Sequence, residues 1–300
     1  MNKLPADLKI NNLIDDLRIF SWEASDKLLY YAQILKDSNY KSNILKNDSK
    51  EEPVTLADLK VNEIIIRRIN EKYRNAGWGI LSEENVKITP IVPYKDSDWL
   101  WVLDPLDGTK DFIQGTNNYA MHLALNYKQK PFLGVVLIPG KDELWFGYST
   151  KCWGERRNGS RIKIQKTDNQ NLEEMTLVTS KNHNNQILKN LIEKILFKKV
   201  IVMGSIGCKL ASIVKGESDI YICLSIPGKS SPKDWDFAAP EAILKASGGA
   251  ITNIDNEDLA YNKSKYEQSG IIVASNNKRN HEAVCMRLKK IIAEYNLYPF

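Results

Sequence analysis

Residues 99–112 read Trp-Leu-Trp-Val-Leu-Asp-Pro-Leu-Asp-Gly-Thr-Lys-Asp-Phe, and this stretch limits the possible folds most strongly. Trp99 to Leu103 are five large apolar residues, bounded by Asp98 and by Asp104-Pro105, with the length and character of a buried strand. Pro105 has no N–H to offer a sheet, so the ladder is expected to stop there. Beyond it Asp104 and Asp107 bracket a tight turn, where two carboxylates and the Leu106 carbonyl can converge while Gly108 and Thr109 turn backbone N–H groups outward. Oxygen ligands beside free amides suit a divalent cation that holds a phosphate. A plainer reading stays open: Asp-Pro and Asp-Gly are ordinary turn formers, and Thr109 can simply cap a helix.

The rest of the chain supplies more acids at element ends. Residues 5–37 carry apolar residues at helical spacing (Leu13, Ile14, Leu17, then Leu28, Leu29, Ala32, Leu35), as one long or two shorter helices. Thr55 and Asp58 have near capping-box spacing ahead of a helical face through Val61, Ile65 and Ile69, so Asp58 has a structural role available. Trp78 to Leu81 reads as a short strand that ends in Ser82-Glu83-Glu84. Strands over 119–127, 132–138 and 144–148, with an Asn158-Gly159 hairpin, imply an antiparallel sheet, and His122 within them reads as a packed residue. From about Met175 strands and helices alternate, which indicates an α/β layer. A loop over 226–235 leads to a helix with Asp236 as its N-cap, Pro240 in its first turn and a Gly248-Gly249 stop. A last strand over 271–274 and a last helix over 282–295 follow, with no internal repeat.

Composition matters for what it excludes. With 300 residues, 43% of them hydrophobic, the chain can bury one large core or two modest ones. The net charge of +5 arises from 42 basic and 37 acidic residues, the basic ones scattered as short pairs, which is not a nucleic-acid stripe. No apolar run approaches the roughly 20 residues needed to span a bilayer. Four cysteines without a CxxC pair and an N-terminus without a signal-type apolar core lead to the expectation of a reduced, cytoplasmic setting.

Asp58, Glu83, Asp104, Asp107 and Asp236 all fall at strand ends or helix starts, and a simple α/β fold would let them meet. Two carboxylates about 5 Å apart repel by roughly 3 kcal/mol at an effective dielectric near 20, so such a gathering needs cations. Oxygen donors without His or Cys favour Mg²⁺ over zinc. A phosphatase with a covalent aspartate nucleophile is disfavoured, because its two acids stand two apart before Gly-Thr. Here they stand three apart with a proline between.

Five elements, in order from about residue 50 to 275, resemble the magnesium-dependent, lithium-sensitive phosphatases of the inositol monophosphatase superfamily: Pro53-Val-Thr-Leu-Ala-Asp58, Ser82-Glu-Glu84, Asp104-Pro-Leu-Asp-Gly-Thr109, Trp235-Asp236 and Gly248-Gly249. Lys110-Asp-Phe112, Ser180-Lys-Asn-His183, Gly204-Ser-Ile-Gly-Cys-Lys209 and the Ala-Pro-Glu-Ala-Ile-Leu core after Asp236 are similar to the 3′(2′),5′-bisphosphate nucleotidase branch. Asp111 in place of the usual Glu, Lys181 in place of Arg and the interval from Ser205 to Lys209 depart from that pattern.

The resemblance implies an α/β (α+β) fold, a layered αβαβα sandwich. Its parts would be an N-terminal α+β domain over 1–165, with an antiparallel sheet and most metal ligands, and a C-terminal α/β domain over 166–300. It implies two or three Mg²⁺ ions on Glu83, Asp104, Asp107, Asp236 and the Leu106 carbonyl. The catalytic set would be Asp58, Thr109 and Glu83, with Asp58 and Thr109 orienting or deprotonating the attacking water. Gly108 and Thr109 would donate to the departing phosphate, and Ser180, His183, Ser205, Lys209 and Asp236 would contact the substrate. The implied substrate is a small phosphorylated nucleotide, adenosine 3′,5′-bisphosphate, with a place in sulfur assimilation, no nucleic-acid or membrane partner, and a monomer or homodimer. An inositol or sugar monophosphatase, or a non-catalytic nucleotide-binding module, are the alternatives.

Overall fold

The computed structural model describes residue 4 and residues 8–36, 45–47, 54–89, 97–180, 186–225, 231–262 and 265–298. Strand alternation explains the layers. In β4 (Trp99–Asp107), Trp101 and Leu103 point to one face of the sheet and Leu100 and Val102 to the other, and both faces are buried. A strand apolar on both sides needs cover on both sides. On the first face lie α1 (Ile10–Ile34) and α2 (Leu56–Tyr73), which bury Leu13, Leu17, Val61 and Ile65 against Trp101, Leu123, Val135 and Phe146. Residues 10–34 thus form one helix, the longer of the two expected arrangements.

Among the described residues the large sheet has seven strands in the order β3-β4-β5-β6-β7-β8-β9: β3 (Gly79–Ser82), β4, β5 (Ala120–Tyr127), β6 (Lys130–Ile138), β7 (Glu143–Tyr148), β8 (Lys151–Glu155) and β9 (Arg161–Ile162). Only the β3–β4 pair is parallel, and the remaining pairs are antiparallel as expected. The second sheet runs β11-β10-β12-β14-β13: β10 (Thr176–Ser180), β11 (Lys199–Met203), β12 (Ile220–Ser225), β13 (Ala250–Asn253) and β14 (Gly270–Ser275). It is mixed, with β10 parallel to both neighbours and β14 antiparallel to both of its own. A short antiparallel pair, β1 (Leu45–Asn47) with β2 (Val54–Thr55), precedes α2.

Between the sheets lie α6 (Ile206–Val214) and α7 (Asp234–Ala246), whose Leu210, Ile213, Phe237 and Ile243 pack with Val102, Val136 and Trp145 from one sheet and Tyr221, Ile272 and Ala274 from the other. On the outer face of the smaller sheet, α5 (Gln186–Ile195) and α8 (Lys278–Glu294) cover Leu177, Ile220, Ile222 and Val273. The order is helix, sheet, helix, sheet, helix, the layered sandwich expected from the resemblance. No helix among the described residues is long and apolar enough to cross a membrane.

Three local expectations are corrected. Pro105 does not end β4. The strand continues to Asp107 across a bulge, because Asp104 pairs with His122 and Asp107 with Ala120, three steps against two. A bulged position requires no ladder donor, so proline is tolerated there. Asp236 is not the N-cap of α7; that residue is Lys233, and Asp236 sits at the third helical position with its Oδ2 accepting from the Lys233 N–H at 2.6 Å. Pro240 lies inside α7 rather than in its first turn, and its missing N–H leaves the Asp236 carbonyl without the usual helical donor. Strand β13, after Gly249, was not anticipated.

Helix α7 crosses the large sheet closely. A Cβ on Gly147 would lie 2.3 Å from the Cα of Ile243, so only glycine permits the approach that brings Asp236 to the end of β4.

Candidate active site

The end of β4, the start of α3 (Glu83–Ile88) after β3, the start of α2 and the N-termini of α6 and α7 converge at one point. One carboxylate oxygen each from Asp104, Asp107 and Asp236 lies within 4.8 Å of the others, although more than 120 residues separate the first from the last. Asp104 is 2% exposed and Asp107 7%. Burial, with the charges of Glu83, Asp107 and Asp236, pushes the Asp104 carboxyl well above the usual carboxylate range. Burial and the Asp107 charge do the same to Asp236. Glu83, expected among the ligands, is not one of these three, but it interacts with Asp104 and is raised as well, by burial and Glu84 and against the counter-charge of Lys87.

Asp107 behaves differently. Burial alone would raise it, but His122, Lys209 and the Ser205 hydroxyl outweigh that and hold it below its ordinary value. Its Oδ2 accepts from the Ser205 Oγ at 2.5 Å and the Gly207 N–H at 3.0 Å, with the His122 Nε2 at 3.1 Å. That oxygen is fully engaged, so the other is left for a cation. Asp104 is pinned in a similar way: its Oδ1 accepts the Leu106 N–H at 3.0 Å.

Asp58 and Thr109 meet beside this cluster. The capping box is present, with the Asp58 Oδ2 accepting from the Thr55 N–H at 2.8 Å and the Thr55 Oγ1 at 2.5 Å. The helical role expected of Asp58 therefore uses one oxygen. The other lies 3.4 Å from the Thr109 hydroxyl, which donates to the Leu106 carbonyl at 3.0 Å. Burial is the main reason the Asp58 carboxyl is pushed up to about 7, with Glu84 and Glu83 adding to it and the Thr55 bond opposing. Gly108 has φ +84°, a left-handed conformation that turns the chain from β4 into the short helix α4 (Thr109–Ile113). The first N–H groups of that helix have no intrahelical acceptors.

Of the proposed substrate contacts, Ser205 is fully buried and caps α6, its hydroxyl shared between Asp107 and the Cys208 N–H. Lys209 is also fully buried. Its ammonium donates to the Gly204 carbonyl at 2.7 Å and lies 5.2 Å over the Tyr221 ring. Burial lowers its pKa, opposed by Asp107 and other nearby groups. Ser180 ends β10, beside the Tyr221 phenol. His183 lies outside the described residues.

Two partners escaped the sequence reading. His122 is packed as expected, with no exposure, but its neighbour proves to be Asp107. Lys87 lies 2.9 Å from both Glu83 Oε1 and Glu84 Oε1, and its four- and three-residue spacing on α3 was a legible signal. The cluster offers only oxygen donors, partly buried and in excess of the nearby cations, and so fits a hard divalent ion such as Mg²⁺.

Comparison with known proteins gives a consistent frame. The inositol monophosphatase family model matches residues 17–293. The 3′(2′),5′-bisphosphate nucleotidase CysQ of Buchnera aphidicola is 33% identical over 212 residues, covering 71% of this chain and 75% of that protein. The fructose-1,6-bisphosphatase/inositol-1-monophosphatase of Thermotoga maritima is 23% identical over 297 residues, 98% of each chain. The solved structure of a Thermotoga maritima IMPase superposes with a TM-score of 0.71 at 22% identity, covering 95% of this chain and 99% of that one.

Proposed function

The chain belongs to the inositol monophosphatase family, and on that premise we propose that it is a Mg²⁺-dependent phosphatase that removes the 3′-phosphate of adenosine 3′,5′-bisphosphate, with 3′-phosphoadenylyl sulfate as a second substrate. The observation that carries the reading is the meeting of Asp104, Asp107 and Asp236 beside the Asp58–Thr109 pair. The likeness to the Buchnera nucleotidase supports the choice of substrate.

In this reading Asp104, Asp107, Asp236, Glu83 and the Leu106 carbonyl hold the metal. When bound, Mg²⁺ supplies charge neutralisation at the phosphate and leaving oxygen and acidifies water. The chain's own residues do the rest. Thr55 fixes Asp58, so the carboxylate oxygen facing Thr109 is the one free to receive a proton from water held at the Thr109 hydroxyl. A carboxyl raised toward neutrality by burial is matched to that task. Gly108 and Thr109 offer N–H groups to the phosphate. Ser205 and Gly207 lock Asp107, which ties the N-terminus of α6 to the ligand set. Lys209 braces the turn at Gly204 while placing a positive charge behind the phosphate, and Ser180 and His183 contact the nucleotide.

A monophosphatase reading draws on the nearly full-length likeness to the Thermotoga protein. Phosphate release from adenosine 3′,5′-bisphosphate and from inositol 1-phosphate, compared at equal Mg²⁺, decides between them. We expect kcat/KM to favour the nucleotide by at least about tenfold. The reverse preference would overturn the substrate, and no release from either would favour a nucleotide-binding module.

A further inference from the structure

The family premise accounts for the acids of this site but not for the cation standing among them. Lys87 projects from the last turn of α3 and places one ammonium 2.9 Å from Glu83 Oε1 and 2.9 Å from Glu84 Oε1. The two acids differ in what lies beyond them. Glu83 interacts with Asp104 of the acidic cluster and is a metal ligand in the reading above, whereas the Glu84 side chain is 3% exposed and is held by Lys87.

We propose that Lys87 is a tethered counter-cation for Glu83: its ammonium holds that carboxylate in the metal-free protein and yields it to an incoming divalent cation, so that Lys87 sets how much Mg²⁺ the site requires. The inference rests on the metal-site reading above.

Three features favour Lys87 for this role over the other basic groups of the site. Lys209 is fully buried and fixed to the Gly204 carbonyl, and His122 is fully buried against Asp107, so neither has room to withdraw. The Lys87 side chain is 30% exposed and has a four-carbon stem with a path to water. Glu84 also gives it a resting place, because an ammonium with three protons can release one carboxylate and keep the other. A divalent ion on Glu83 would repel an ammonium held on the same carboxylate, so each occupancy weakens the other.

The test is isothermal titration of metal-free protein with Mg²⁺ alone, on wild type, K87M, K87R and the double variant K87M/E84Q. The double variant removes the buried Glu84 charge that K87M would strand, and circular dichroism checks that each variant is folded. K87M/E84Q and folded K87M are expected to bind Mg²⁺ about 5- to 10-fold tighter than wild type, the size of releasing one partly buried ion pair, with K87R near wild type. Loss of a merely structural contact would weaken binding, so the direction of the change is diagnostic. Equal or weaker affinity in K87M/E84Q would overturn this inference alone. A wild type that takes up no Mg²⁺ would overturn the metal reading and this inference with it.

Discussion

Two buried polar clusters in this molecule are built on opposite principles. At the end of β4, Glu83, Asp104 and Asp236 are held together with like charges facing, and each is pushed above its ordinary pKa, burial being the leading cause. Beneath α8, Thr252, Ser275 and His281 form a closed neutral chain. The Thr252 hydroxyl donates to the Asn253 carbonyl at 2.7 Å and so receives the His281 Nε2–H at 2.8 Å. The His281 Nδ1 then accepts from the Ser275 hydroxyl at 2.7 Å. Burial and the nearby Lys245 charge hold this histidine down to about 4. The second cluster is complete as it stands, whereas the first gathers more carboxylates than the nearby basic groups match. Buried polarity that is satisfied stabilises a fold, whereas buried charge left over is where a ligand belongs.

The sharpest way to break this contrast is to disrupt each cluster in turn. D104N and D236N are each expected to lower phosphate release by about three orders of magnitude. The double variant should nonetheless make the metal-free protein more stable by roughly 1–2 kcal/mol, a few degrees in Tm, because it removes mutual repulsion. Melting of the metal-free variants beside a phosphate-release assay checks both halves. H281A should do the converse, costing about 2 kcal/mol of stability by denaturant titration while kcat per folded molecule stays within about twofold.

A smaller effect separates the clusters by pH. His281 binds its proton less readily folded than unfolded, so between its unfolded value near 6.5 and its folded value of about 4 the unfolded chain carries more protons. Its contribution is fully present above about pH 6.5 and is lost as pH falls, reaching about 3 kcal/mol by pH 4. Denaturant titrations of wild type and H281A across that range should meet near about pH 5 and cross below it, wild type becoming the less stable of the two. A constant gap would show that the imidazole does not titrate as its burial requires.

Much of this could be read from residue order, and the remainder has identifiable causes. The unbroken apolar run over residues 99–103, the alternation along 119–127 and the strand–helix succession after Met175 exposed both sheets, because these patterns depend only on near neighbours in sequence. The acids were legible as element ends. Pro105 was misread as a stop because a bulge cannot be distinguished from a strand end without the partner strand. The sequence points to Asp236 as the cap, three positions short of its actual place in the helix, because Lys233, a poor capping type, begins it. The Ser205–Asp107 and His122–Asp107 contacts depend on packing between distant segments, for which local spacing holds no signal. Lys87 is the opposite case: its helical spacing to Glu83 was in plain view.

The central claim is that the acids at the end of β4 are tolerated because a divalent cation neutralises them. Thermal unfolding of metal-free wild type and of the D104N/D236N variant, each titrated with MgCl₂ at constant ionic strength, tests it most directly. The wild-type Tm should climb with Mg²⁺ by several degrees as binding to the native state is drawn in, while the variant starts higher and stays flat. Parallel responses in the two proteins, or a wild type indifferent to Mg²⁺, would contradict the account.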